Sequence, residues 1–179
     1  MKQKLTPRNM AICAMIAALY TTLCIATAPI SFGMVQVRTA EAFTLLPVFS
    51  PLGIWGVTLG CALSNLIGFM TGANILGFTD VFLGTAATLI AAVLSYRLRG
   101  IRLAGLPVLS AVPPVLVNAV VIGGELCILL TGGLSPKPFL INAAYVGLGQ
   151  MISCFVLGLP LVYILQKTGL SRLLNANRS

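Results

Sequence analysis

Residues 42–79, AFTLLPVFSPLGIWGVTLGCALSNLIGFMTGANILGFT, run for 38 positions without a charged side chain. A helix rises about 1.5 Å per residue and the hydrocarbon core of a bilayer is about 30 Å thick, so roughly 20 apolar residues complete one crossing. The run is too long for a single crossing, and Pro47, Pro51 and Gly53 break it near its start. It therefore reads as two helices, a short one over 38–49 and a longer one over 52–70.

Reading outward from charge to charge lays out the rest. Asn9 to Val37 is uncharged, opens just after Pro7 and Arg8, and predicts a helix over 9–30. Asp80 opens a run that closes on Arg97, Arg99 and Arg102, which predicts 80–97. The next run carries Pro107, Pro113 and Pro114, tolerated in lipid where neighbouring helices satisfy the freed carbonyls, and continues past Glu125, which predicts 104–130. A turn-rich stretch then precedes a last helix over 139–166. The expectation is one all-α integral membrane domain over 1–179 with six transmembrane helices.

Composition points the same way. Of 179 residues 58% are hydrophobic, only 11 are Lys or Arg and 3 Asp or Glu, and mean hydropathy is +1.03. A soluble domain carries about a quarter of its residues as charges. There is no His, and Cys13, Cys24, Cys61, Cys127 and Cys154 form no CxxC pair, so a zinc site or a thioredoxin-like centre is not expected. These cysteines read as small buried hydrophobes. No Ser/His/Asp or Cys/His set, no metal cluster and no G-x-x-x-x-G-K-[ST] occurs, so neither catalysis nor nucleotide binding is expected of this chain.

The net charge of +8 is explained by topology rather than by nucleic acid. With six helices, Lys2, Lys4, Arg8, Arg97, Arg99, Arg102, Lys167, Arg172 and Arg178 all fall on the side of the termini, which predicts both termini in the cytoplasm. Only Arg38 and Lys137 lie opposite. The first helix is read as a helix and not as a cleaved leader. In this frame Glu41, Asp80 and Glu125 all lie in the outer half of the membrane. Charges at membrane depth face a cavity or one another, so three acids at one level predict an outward-facing polar pocket.

Several patterns admit two readings. Gly56, Gly60, Ser64, Gly68 and Gly72 recur every fourth residue, a stripe whose ordinary meaning is close helix packing. Asn65, one step off it, either bonds a neighbouring helix or reads a ligand. Ala11, Ala14 and Ala18 share a face of the first helix, suited to internal packing or to a partner's helices. Within Gln36-Val37-Arg38-Thr39-Ala40-Glu41, Arg38 and Glu41 are spaced to pair with each other. Asp80 stands where it either caps a helix or meets ligand, and Glu125 has neither an adjacent cation nor a capping position.

The length, the Ala-rich first helix, the run Gln36 to Ala42 followed by Leu45-Leu46-Pro47, then Gly56 to Gly60-Cys61, Asn65-Leu66-Ile67-Gly68, Thr79-Asp80 and Gly84-Thr85 resemble the QueT-type queuosine-precursor transporters, S components of energy-coupling factor (ECF) transporters. The specific motifs lie between residues 36 and 80. The resemblance implies an ECF S-component bundle in the plasma membrane of a prokaryote that captures a 7-deazaguanine, 7-aminomethyl-7-deazaguanine or queuine, outside the cell. It implies a transmembrane coupling protein and two cytoplasmic ATPases as partners, with ATP and Mg on those subunits and no cofactor on this chain. It also implies that Ala14, Ala18 and Ala11 dock on the coupling protein. A carboxylate accepts the side-by-side N–H donors of such a base and an acid suits its aminomethyl cation. The expected substrate contacts are Glu41 and Glu125, then Asp80, Asn65 and Gln36, with Arg38 orienting an acid. Asn118 or Asn142 lines the site, and Phe43, Trp55 or Tyr145 stacks on the ring. The rival readings are an S component for another vitamin, an intramembrane enzyme using Glu125 and Asp80, and a structural subunit.

Overall fold

The computed structural model describes residues 6–33, 36–103 and 105–174. Among them the chain is helical, with no strand and one isolated bridge between Leu103 and Leu106. The expected basic residues Lys2, Lys4 and Arg178 lie outside the described residues. Five helical segments are long and apolar enough to cross a membrane: Pro7–Ala26, Leu52–Met70, Thr79–Leu98, Val108–Thr131 and Pro136–Lys167.

Helix α1 (Pro7–Ala26) starts where the Thr6 side chain accepts the Asn9 N–H at 3.3 Å and Pro7 occupies the first turn. It ends at Ala26, short of the expected residue 30, because Thr27 closes it and Pro29 sits in a separate turn, α2 (Ala28–Ser31). The segment expected as a helix over 38–49 is a ten-residue 3-10 helix, Thr39–Val48, with Pro47 inside it. Pro47 supplies no N–H, and its ring opposes a wide α-turn at that point.

α3 (Leu52–Met70) and α4 (Thr79–Leu98) follow. The fifth segment begins later than residue 104, with a 3-10 turn over Val108–Ala111 leading into α5 (Val112–Thr131). Its prolines lie in the first turn, where the missing N–H has no helical acceptor to lose. The last segment starts earlier than expected and is built of α6 (Pro136–Met151), a π-helical stretch (Ile152–Gly158) and α7 (Leu159–Lys167), with a short α8 (Ser171–Leu174) beyond.

Directions follow from who touches whom. Cys13 on α1 donates to the Leu52 carbonyl at 3.4 Å and Thr21 to that of Gly60 at 3.1 Å, so α1 and α3 run parallel. Asn65 reaches Asp80 and Cys61 reaches Thr88, so α4 returns antiparallel to α3. Gly124 faces Phe139 while Gly147 faces Ala119, so α6 returns antiparallel to α5.

The seam between α1 and α3 uses the small-residue stripe. A Cβ added at Gly60 would stand 2.7 Å from the Cβ of Tyr20, and one at Gly56 as close to Ile16. No water is released when such faces meet in lipid, so close van der Waals contact holds them. Gly72 does not belong to this seam. It adopts φ +71° with nothing near its missing Cβ and serves the turn after α3. The core around the seam contains Ile16, Tyr20, Phe32, Leu46, Ile54 and Val57, and the 3-10 helix is packed within the bundle against α1, α3, α4 and the π-helical stretch.

Candidate functional site

Inside this apolar core lies a cluster of buried polar side chains. It is assembled from the irregular residues 36–38, the 3-10 helix, and the facing surfaces of α1, α3 and α4. Arg38, at the N-cap of the 3-10 helix, has extended backbone and is buried. Its guanidinium donates to Asp80 Oδ2 at 3.1 Å and Gln36 Oε1 at 3.5 Å, lies 3.8 Å from Cys61 Sγ, and stacks 5.4 Å above the ring of Phe32. Asp80 Oδ2 also accepts from Asn74 Nδ2 at 2.8 Å, while Asn65 Nδ2 donates to the Asp80 carbonyl at 2.8 Å. The Arg38–Glu41 pair that the spacing allowed does not form.

Glu41 turns instead toward α1 and α4. Its Oε1 accepts from Tyr20 at 2.6 Å and from Thr88 at 3.4 Å. Thr88 also lies 3.2 Å from Cys61 Sγ and Asn65 Nδ2 3.6 Å from it, so this cysteine collects donors as well as filling space. Gly84 leaves room for the arrangement, since a Cβ there would stand 2.7 Å from Asn65 Nδ2 and strike the Asp80 carboxylate. On the other side the π-helical stretch brings Cys154 to the Glu41 carbonyl at 3.8 Å. π-Turns of this kind are frequent at functional sites.

The cluster is incompletely satisfied. Gln36 Nε2, Arg38 Nε and Asn118 Nδ2 are buried donors without a partner, and Glu41 Oε2, Asn65 Oδ1, Asp80 Oδ1 and both Glu125 oxygens are buried acceptors without one. Native interiors leave few such atoms, and an unmet buried polar atom costs about 1–3 kcal/mol. Their concentration in one part of the bundle makes it the candidate functional site.

Beside the cluster, a cavity of about 840 Å³ opens between α4, α5 and the start of α6. Glu125 lines it together with Thr79, Leu83, Val120, Ile128 and Phe139. The Thr79 hydroxyl stands beside the Glu125 carboxylate and donates to the Leu76 carbonyl at 2.9 Å. Asn118, two turns before Glu125 on α5, is buried.

The residues expected from the sequence thus divide. Gln36, Arg38, Glu41, Asn65 and Asp80 come together, and Asn118 and Glu125 stand on α5 with unmet polar atoms. Trp55 does not join them. It is 61% exposed, in a stripe with Leu59, Leu63, Leu66 and Met70 on the lipid-facing side of α3. Tyr145 is also exposed, Phe43 packs against the apolar core, and Asn142 lines a small separate cavity with Thr131 and Lys137. Ala11, Ala14 and Ala18 are exposed on α1, while Ala17 faces the seam.

Sequence reasoning passed over Tyr20, Cys61, Asn74 and Thr88. The signal for two of them was periodic: Cys61 precedes Asn65 by one turn, and Thr88 follows Asp80 by two with Gly84 between. Phe139, which faces the cavity, and Phe32, under Arg38, replace the expected aromatics near the polar groups.

A family model described as QueT transporter matches residues 10–167 of the chain. No curated protein and no solved structure matches it.

Proposed function

The chain belongs to the QueT transporter family, and on that premise we propose that it is the substrate-binding S component of an ECF-type importer for a queuosine precursor, a 7-deazaguanine captured outside the cell. The observation that carries this reading is the set of unmet buried acceptors on Glu41, Asn65, Asp80 and Glu125, interleaved with donors on Gln36, Arg38 and Asn118. A 7-deazaguanine presents ring N–H and amino donors beside a carbonyl acceptor, and an aminomethyl arm adds a cation.

The proposed topology has six passes with both termini in the cytoplasm of a prokaryotic cell. Its support is the parallel course of α1 and α3, because two parallel neighbours require the chain between them to return across the same layer. A ten-residue 3-10 helix advances about 20 Å, and extended residues 36–38 add about 10 Å, matching the roughly 30 Å apolar core. Arg97, Arg99, Arg102 and Lys167 then lie on the cytoplasmic side. Energy comes from partner subunits, a coupling protein and two ATPases that carry ATP and Mg. The exposed small residues Ala11, Ala14 and Ala18 form the face that docks on the coupling protein.

The test is a thermal-shift series on the detergent-purified chain with 7-aminomethyl-7-deazaguanine, queuine, guanine, riboflavin and thiamine. A ligand at 100 times its Kd adds about 2.7 kcal/mol to the native state. Stabilisation by the deazaguanines alone is the expected outcome. Stabilisation by another vitamin alone keeps a binding subunit and removes this substrate, and no shift with any compound removes the reading.

A further inference from the structure

The three buried acids differ in what surrounds them. Asp80 is met by Arg38 at 3.1 Å and Asn74 at 2.8 Å, and Glu41 by Tyr20 at 2.6 Å and Thr88 at 3.4 Å. Glu125 is 7% exposed and both its oxygens lack a hydrogen-bond partner. Arg38–Asp80 is the one ion pair among the described residues, so no described cation pairs directly with Glu125, which feels Arg38 only at longer range. Apolar side chains wall the cavity it lines, among them Leu76, Leu83, Val120, Val121 and Phe139.

A carboxylate in apolar surroundings is stabilised most by a partner that brings positive charge together with N–H donors. A neutral N–H pair would fill its lone pairs and leave its charge bare. The cluster around Arg38 has the opposite character. There Gln36 Nε2 and Arg38 Nε as donors alternate with Asn65 Oδ1 and Asp80 Oδ1 as acceptors, which suits the mixed edge of an uncharged heterocycle. The two regions adjoin, because Thr79 lines the cavity and Asp80 is the next residue.

We propose that Glu125 is the ammonium-binding residue of the site: the cluster around Arg38 reads the hydrogen-bonding edge of the ring, and Glu125 takes a protonated amine carried on an arm of that ring. The protein then selects aminomethylated 7-deazaguanines over uncharged ones. This assignment rests on the reading that the ligand is a 7-deazaguanine.

The decisive experiment is equilibrium binding of 7-aminomethyl-7-deazaguanine and 7-cyano-7-deazaguanine to the full detergent-purified chain. The two share a ring and differ in the charge of the arm. The wild type is expected to prefer the amine by at least about 30-fold, or about 2 kcal/mol at 1.4 kcal/mol per tenfold. Glu125→Gln keeps the shape, removes the charge, and should bring that preference within about threefold. Equal affinity of the wild type for both compounds overturns the assignment, as does a preference that survives Glu125→Gln, including through equal weakening of both. If Glu125→Gln does not elute as monodisperse protein, Glu125→Asp decides. It withdraws the charge by one methylene and should cut the preference at least about threefold, and an unchanged ratio overturns the assignment. Failure of both compounds to bind the wild type removes the ring reading itself and this assignment with it.

Discussion

A guanidinium taken out of water needs a carboxylate and most of its N–H donors met, and breaking such a pair costs far more than the pair contributes. Arg38 and Asp80 are both buried and 3.1 Å apart. Asp80→Ala is therefore expected to destabilise the protein by about 3–5 kcal/mol, and the double change Arg38→Met with Asp80→Leu to recover most of that loss. Thermal unfolding of the three proteins in one detergent checks this, and a double variant no more stable than Asp80→Ala would refute it. Tyr20 tests the other acid. Tyr20→Phe removes the shorter of the two hydrogen bonds to Glu41 Oε1 and leaves that oxygen with only the Thr88 hydroxyl at 3.4 Å, at an expected cost of about 1–3 kcal/mol, read in the same assay. The polar residue types in the cluster were legible because any amide or charge in an uncharged run stands out. Their pairing was not legible. Arg38 ignores Glu41 three residues away and bonds Asp80, because contact across α3 and α4 depends on how the helices face each other and not on spacing.

Two elements that deviate from ordinary α-helix border the cluster, which the ordinary helices α1, α3 and α4 complete. The 3-10 helix Thr39–Val48 is far longer than the usual three or four residues of that form, and it packs against the π-helical stretch Ile152–Gly158. Just before the 3-10 helix, the backbone of residues 36–37 lies against α6 at Gly149. A Cβ there would meet the Gln36 carbonyl and stand 3.2 Å from the Val37 N–H nitrogen. Gly149→Ala is expected to destabilise by about 1–3 kcal/mol and to abolish the ligand-induced thermal shift, because the displaced backbone carries Gln36 and Arg38. Gly147→Ala on the same helix meets only Ala119, at 3.6 Å, and serves as the control. Pro47, Pro51 and Gly53 announced a break in the sequence. That the broken piece becomes a buried 3-10 helix was not announced, since it depends on the shapes of the elements packed around it.

For the molecule as a whole, the proposed six passes and the docking face can be tested together. A cysteine placed at Gly133, in the loop after α5, should react with a membrane-impermeant maleimide on intact cells, and one at Gly100 only after permeabilisation. Reaction of both from outside would remove the six-pass reading. Ala14→Leu should abolish copurification with a coupling module while leaving the thermal shift in place, and loss of both together would mean that it damages the fold. What the sequence by itself determined is the solvent and the class of fold. Long uncharged runs can satisfy their backbone only as helices in lipid, and charges and prolines set where those helices begin and end. What only the tertiary structure decided is which polar groups meet and which stay unmet. Glu41, Asp80 and Glu125 differ in their sequence neighbours, but those neighbours do not name their partners. The rotation of each helix about its axis gives Asp80 an arginine and Glu41 a tyrosine, and leaves Glu125 on a largely apolar cavity without an ion-pair partner among the described residues, since a side chain's partners are fixed by packing between elements far apart in the chain.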